Sequence, residues 1–268
     1  MMQLKSLSGN YFTRRRLIVS ALFMLFLFLR LFAGSNEILF SQDNLKYIEA
    51  AKTFPHHLLY NNQLYLLHPP LYPYAIYFSS LIFKEYHVGA TAISLISSIV
   101  TFFILYRFFM LLTQNFNITF FALLFYTLSV PMVIASTNVL KESFVVMLIF
   151  LTLYYFAKAI MGNNKTALFL CALFGVFLAF SADHVIFIFP ALLLSYIMLN
   201  RAKISIKELK FPNAKFAVIP LLIILIAYGS WLSVKYHQYS SYEYYPNGLE
   251  GTPLNTQNLN LLKLISPT

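Results

Sequence analysis

Long apolar stretches decide what this chain can fold into. Residues 17–32 are apolar except for Arg30, and further runs occupy 89–112, 118–135, 144–157, 167–180, 185–199 and 216–234. None alternates with the period of two that a barrel strand needs. In lipid only helices and closed barrels satisfy their own backbone, so an all-α integral membrane protein is expected. Composition agrees: 59% of the residues are hydrophobic, 10% are charged and the mean hydropathy is +0.70.

The formal charge of +10 does not point to nucleic acid, because the basic residues flank apolar runs as they do in cytoplasmic loops of membrane proteins. Cys171, the only cysteine, lies within an apolar run. It excludes an intramolecular disulfide or a cysteine metal cluster and reads as lipid-facing or core packing.

One segment is ambiguous. Residues 69–83, PPLYPYAIYFSSLIF, are apolar but short and open with three prolines. If they span, eight crossings leave 8 basic residues inside against 10 outside, the wrong sign for a positive-inside protein. If they do not, seven crossings leave 12 inside against 6 outside, with Arg30 in the first helix. Seven spans are therefore expected, with 69–83 as a juxtamembrane or re-entrant helix. The organisation becomes a basic cytoplasmic N-terminus over 1–16, a membrane module over 17–234 with an external loop at 34–88, and an external tail over 235–268. Tyr11 to Arg16 followed by a hydrophobic helix fits a retained anchor better than a cleavable signal.

This topology sends Asp43, His68, Glu142, Asp183 and His184 to the same side from four places in the sequence. Each alone reads as an interfacial polar residue at a helix end; the set reads as a site. Leu45, Ile48 and Ala51 recur at helical spacing, so Asp43 stands near a helix start with Lys46 on the same face. An ordinary helix cap is the alternative reading of that aspartate. His68 precedes Pro69-Pro70-Leu71, where a rigid backbone opens a short helix whose free amides would favour an anion. Arg30, inside the first span, reads either as a snorkelling arginine or as a partner for an anionic ligand. The sequons at Asn117 and Asn164 fall in loops expected to be cytoplasmic and read as chance. His56, His57 and His68 share the loop with Asp43 and Glu49 but match no zinc spacing, so no metal or other cofactor is expected.

An acid followed three and four residues later by a basic residue and a tyrosine, Asp43, Lys46 and Tyr47, and then by His68-Pro69-Pro70-Leu71, resembles the first external loop of the C-superfamily (GT-C) glycosyltransferases. The pattern is most similar to the dolichyl-phosphate-mannose protein mannosyltransferases and the lipid A aminoarabinose transferase. Leu140-Lys141-Glu142-Ser143 and Ser181-Ala182-Asp183-His184 extend it more weakly.

The resemblance implies a membrane glycosyltransferase that moves a sugar, with inversion, from a polyprenyl-phosphate carrier to a protein, lipid or glycan acceptor. It implies Asp43 as the catalytic base, Lys46, His68 and Arg30 as ligands of the donor phosphate, and Tyr47, Glu142, Asp183 and His184 as supporting residues. The expected location is a bacterial inner membrane, with the N-terminus cytoplasmic and the site external. This chain has Asp43-Asn44 where the mannosyltransferases have two acids, and the resemblance implies a longer C-terminal part than the tail ending at Thr268. A non-catalytic membrane subunit or pseudoenzyme of the same fold is the competing reading.

Overall fold

The computed structural model describes residues 2–36, 42–54, 59–60, 63–64, 69–162, 164–182 and 215–241. Nine helices are described: α1 (Met2–Asn36), α2 (Gln42–Thr53), α3 (Leu71–Phe83), α4 (Tyr86–Thr113), α5 (Phe116–Leu128), α6 (Val130–Thr137), α7 (Lys141–Gly162), α8 (Lys165–Ala179) and α9 (Lys215–Ser241). A two-residue antiparallel pair, β1 (Leu59–Tyr60) and β2 (Gln63–Leu64), interrupts the helical pattern between α2 and α3. The external loop was expected to contain juxtamembrane helices, and this hairpin was not foreseen.

Among the described residues, three helices are long and apolar enough to cross a membrane, over Thr13–Gly34, Tyr86–Thr113 and Lys141–Gly162. The pair α5 and α6 makes a fourth if taken together, but it is bent by 59°. The run over 118–135 was expected to be one straight span. Ser129 instead takes an extended conformation, φ −65° and ψ 106°, and Pro131 falls in the first turn of α6. Proline lacks the N–H that would continue the α5 ladder, which accounts for the break.

Neighbouring contacts fix the direction of each helix. The Arg15 guanidinium lies 5.0 Å from the Phe116 ring centroid, so the basic start of the first span meets the start of α5. At the opposite end, a Cβ built on Gly34 would lie 3.7 Å from Thr137 Cβ, at the finish of α6. Ser94 reaches Leu140 while Phe108 meets Phe150, so α4 and α7 run parallel. Gly175 faces Ile224 and Phe180 faces Trp231, so α8 and α9 also run parallel. The chain therefore leaves α8 at one end of the bundle and enters α9 at the other; the expected span over 185–199 lies outside the described residues.

Among the described residues the core has three clusters, one of them at the α2–α3 end. Phe26 of α1 packs with Phe102 of α4 and with Leu123 and Tyr126 of α5. Leu148 and Phe156 of α7 pack with Cys171 and Leu178 of α8 and with Ile224 and Tyr228 of α9. Cys171 is thus a core residue. Its neighbour Gly175 matters sterically, because a Cβ there would run into Ile224 Cδ1 and stand 2.6 Å from Cγ1.

Helix α3 has 13 residues, about 20 Å at 1.5 Å per residue, which is short of the ~30 Å hydrocarbon core. It folds back antiparallel along the first turns of α4, with Ser79 Oγ donating to Gly89 O at 3.0 Å and Tyr72 opposite Ser94. Gly89 permits this approach, since a Cβ there would stand 3.0 Å from the Ser80 backbone nitrogen. Lys84 turns the chain between the two helices in the left-handed region at φ 58°. The C-terminal helix continues to Ser241, past the boundary at 234 expected for the tail.

Candidate active site

Among the described residues, Lys46, Tyr47 and Glu142 lie at the end of the bundle opposite Arg15, Arg107 and Lys165. Helix α2 packs there through Tyr47, Ile48, Ala50 and Ala51, which join Tyr72 and Ile76 of α3, Ala90 of α4 and Val139 of the α6–α7 turn in one buried cluster. The ring of Tyr47 meets that of Tyr72 edge-on at 5.1 Å, and Tyr72 in turn contacts Phe144 of α7 at 5.8 Å. Of the apolar period read along α2, Ile48 and Ala51 are buried but Leu45 is exposed; Tyr47 and Ala50 complete the anchoring face, and Lys46, half-buried, stands beside it.

A hydrogen-bonded layer holds this end together. The Tyr72 hydroxyl and Ser94 Oγ are 3.1 Å apart, and Ser94 Oγ donates to Leu140 O at 3.2 Å. Burial pushes the Tyr72 phenol above its ordinary value; the Ser94 hydrogen bond opposes that rise and the Glu142 carboxylate adds to it. The layer joins α3, α4 and the start of α7, and so brings Leu140-Lys141-Glu142-Ser143 against the α2–α3 pair. Lys141 is buried, with Nζ 6.0 Å from the Tyr47 ring centroid, while Glu142 is exposed.

Across the same end, the Leu71 N–H donates to Phe180 O at 3.0 Å. The residues just after Pro69-Pro70 are therefore tied to the last turn of α8. This bond corrects one expectation. The start of α3 was expected to offer free amides to an anion, but Leu71 spends its N–H on Phe180 and Pro73 has none. His68, Asp183 and His184 lie outside the described residues. Asp43 belongs to the first turn of α2, and its side chain is likewise not among those described.

Arg30 sits one turn deeper. It is 1% exposed, and its Nε donates to Ser98 Oγ at 2.9 Å, four residues along α4 from Ser94. Its Nη1 lies 3.4 Å from Phe26 O and 3.5 Å from Thr127 O. The guanidinium stacks over the Phe26 ring at 3.6 Å and lies 5.3 Å from that of Tyr126, whose hydroxyl is 2.9 Å from Ser98 Oγ. Nη2 has no hydrogen-bond partner among the described residues. This arginine does not snorkel.

Sequence reasoning missed Tyr72, Ser94 and Ser98 as members of this region, and named Lys141 only within the Leu140-Lys141-Glu142-Ser143 motif. A usable signal existed for the serines, which recur at 94 and 98 on one face of an otherwise apolar helix. Small hydroxyl residues in membrane helices let neighbours approach and bridge them. No equivalent signal marked Tyr72, one of 19 tyrosines.

Apolar helices long enough to cross a membrane define the class as a multi-helix membrane protein. Residues 67–231, more than half of the chain, match the dolichyl-phosphate-mannose-protein mannosyltransferase family, and the chain belongs to that family. The matched region starts just before His68 and contains Glu142 and Asp183, whereas Asp43 and Lys46 precede it. No curated protein matches the chain significantly.

Proposed function

We propose that this protein transfers a sugar from a polyprenyl-phosphate carrier to an acceptor hydroxyl at the end of the bundle formed by α2, α3 and the start of α7. The observation that carries the reading is the meeting of this end with the family match: α2 bearing Asp43 and Lys46 packs directly on the helix that follows His68-Pro69-Pro70. Asp43 takes the proton of the acceptor hydroxyl as its oxygen attacks the anomeric carbon. The bond from that carbon to the phosphate oxygen breaks on the opposite face, giving inversion and releasing polyprenyl phosphate. Lys46 and His68 hold the phosphate and stabilise the charge it gains. Tyr47 fixes α2 through Tyr72, while Glu142, Asp183 and His184 support the acceptor side. Arg30 acts from the layer beneath, with Nη2 the donor left for the phosphate.

Seven spans accompany this reading: α1, α4, the bent α5–α6 pair, α7, α8, the run over 185–199 and α9. The basic end then faces the cytoplasm and the site faces outward, in the inner membrane of a bacterium.

The test is transfer from defined polyprenyl-phosphate sugars by the purified full-length protein. Asp43→Asn is expected to reduce transfer by at least ~100-fold, the range typical of a lost general base, with the protein still inserted and folded. Undiminished transfer by that variant would overturn the assignment of Asp43. Inactivity of the wild-type protein toward every such donor would favour the non-catalytic relative.

A further inference from the structure

Within the bent span, one backbone acceptor has lost its regular donor. In a continuous helix the carbonyl of Thr127 would accept from the N–H of residue 131, four positions on. That residue is Pro131, which has no N–H. Thr127 is fully buried, in surroundings where an unpaired carbonyl is costly.

The neighbouring donor is Arg30 Nη1, 3.5 Å from Thr127 O, on a side chain that also holds Phe26 O in its own helix and Ser98 Oγ in α4. We propose that Arg30 braces the bend through Nη1: it supplies Thr127 with the hydrogen bond that Pro131 cannot make, and so locks the break between α5 and α6 against α1 and α4. A guanidinium suits this task because its rigid fork reaches several acceptors at once, while the faces of Phe26 and Tyr126 accommodate its charge.

The lock has a consequence at the site. From the break, α6 leads directly to Asn138, Val139 and Leu140. Val139 packs with Tyr47 and Tyr72, and Leu140 O receives Ser94. The angle of the break therefore sets where α7 begins and where Glu142 stands. This holds whether or not the chain transfers sugar, so the test does not depend on activity.

A double-mutant cycle on the full-length protein distinguishes this role from that of any buried arginine. Thermal unfolding is followed through Trp231, the only tryptophan, which lies against Phe180 away from the break. Arg30→Met should lower Tm, and Pro131→Ala, by returning an N–H to Thr127, should abolish more than half of that drop. Additive shifts would overturn the proposal. If Arg30→Met alone yields no folded protein, adding Pro131→Ala should restore it, and failure to do so would equally overturn the proposal.

Discussion

Single residues at the polar end act mainly as connectors. The Tyr72 hydroxyl joins α3 to Ser94, and Ser94 passes the connection to Leu140. Tyr72→Phe should therefore cost about 1 kcal/mol, the usual net worth of one hydrogen bond, because Ser94 retains Leu140 O as an acceptor. Denaturant unfolding in detergent, read at Trp231, measures this loss. A steric effect governs Gly175. Adding a methyl there drives Cβ into Ile224, so Gly175→Ala should destabilise by ~1–3 kcal/mol through overpacking. Ile224→Ala in the same chain should recover most of the loss, and additive losses would remove the steric explanation. Residues whose meaning is local were legible beforehand. Lys46 stands three residues after Asp43 in one helix, as the spacing suggested, and Tyr47 is buried against Tyr72. Arg30 was legible only as an anomaly, because its distant partners come from two other places in the sequence, Ser98 and Tyr126–Thr127.

Individual elements depart from the sequence pattern where a backbone hydrogen bond decides. Residues 118–135 read as one span because hydropathy averages over Ser129 and Pro131, whereas the ladder is interrupted there. The start of α3 read as an anion site because proline-initiated helices leave amides free, whereas the Leu71 amide has found Phe180 O. The direction of the broken element can be measured. Gly34 and Thr137 stand at a Cβ separation of 3.7 Å, within the range of a disulfide. A Gly34→Cys/Thr137→Cys protein should form an intramolecular disulfide on mild oxidation, detected as a gel shift reversed by reductant. Absence of the crosslink would place α6 elsewhere. Native Cys171 should not compete, since it is buried between α7, α8 and α9.

Among the described residues of the whole molecule, Arg15, Arg107, Lys158 and Lys165 lie at one end of the helices, while Glu49, Glu85 and Glu142 lie at the other, beside Lys46, Lys52, Lys84 and Lys141. Lys84 and Lys165, both exposed, mark the two ends. In oriented membrane vesicles, single cysteines introduced as Lys84→Cys and Lys165→Cys should react with an impermeant maleimide from opposite faces. Labelling from the same face would overturn the assigned topology.

The amino-acid sequence determined the membrane class and most of the apolar helices, because hydropathy acts through the surrounding solvent and needs no partner. Its motifs also pointed to the family, through His68-Pro69-Pro70-Leu71 within the matched region. Only the tertiary structure decided that α3 folds back along α4, that the span over 118–135 is broken, and that Arg30 is held beneath the site by Ser98 and Thr127. Those outcomes turn on hydrogen bonds and close contacts between residues up to 97 positions apart. Such pairings depend on which helices become neighbours, and no local pattern records that choice.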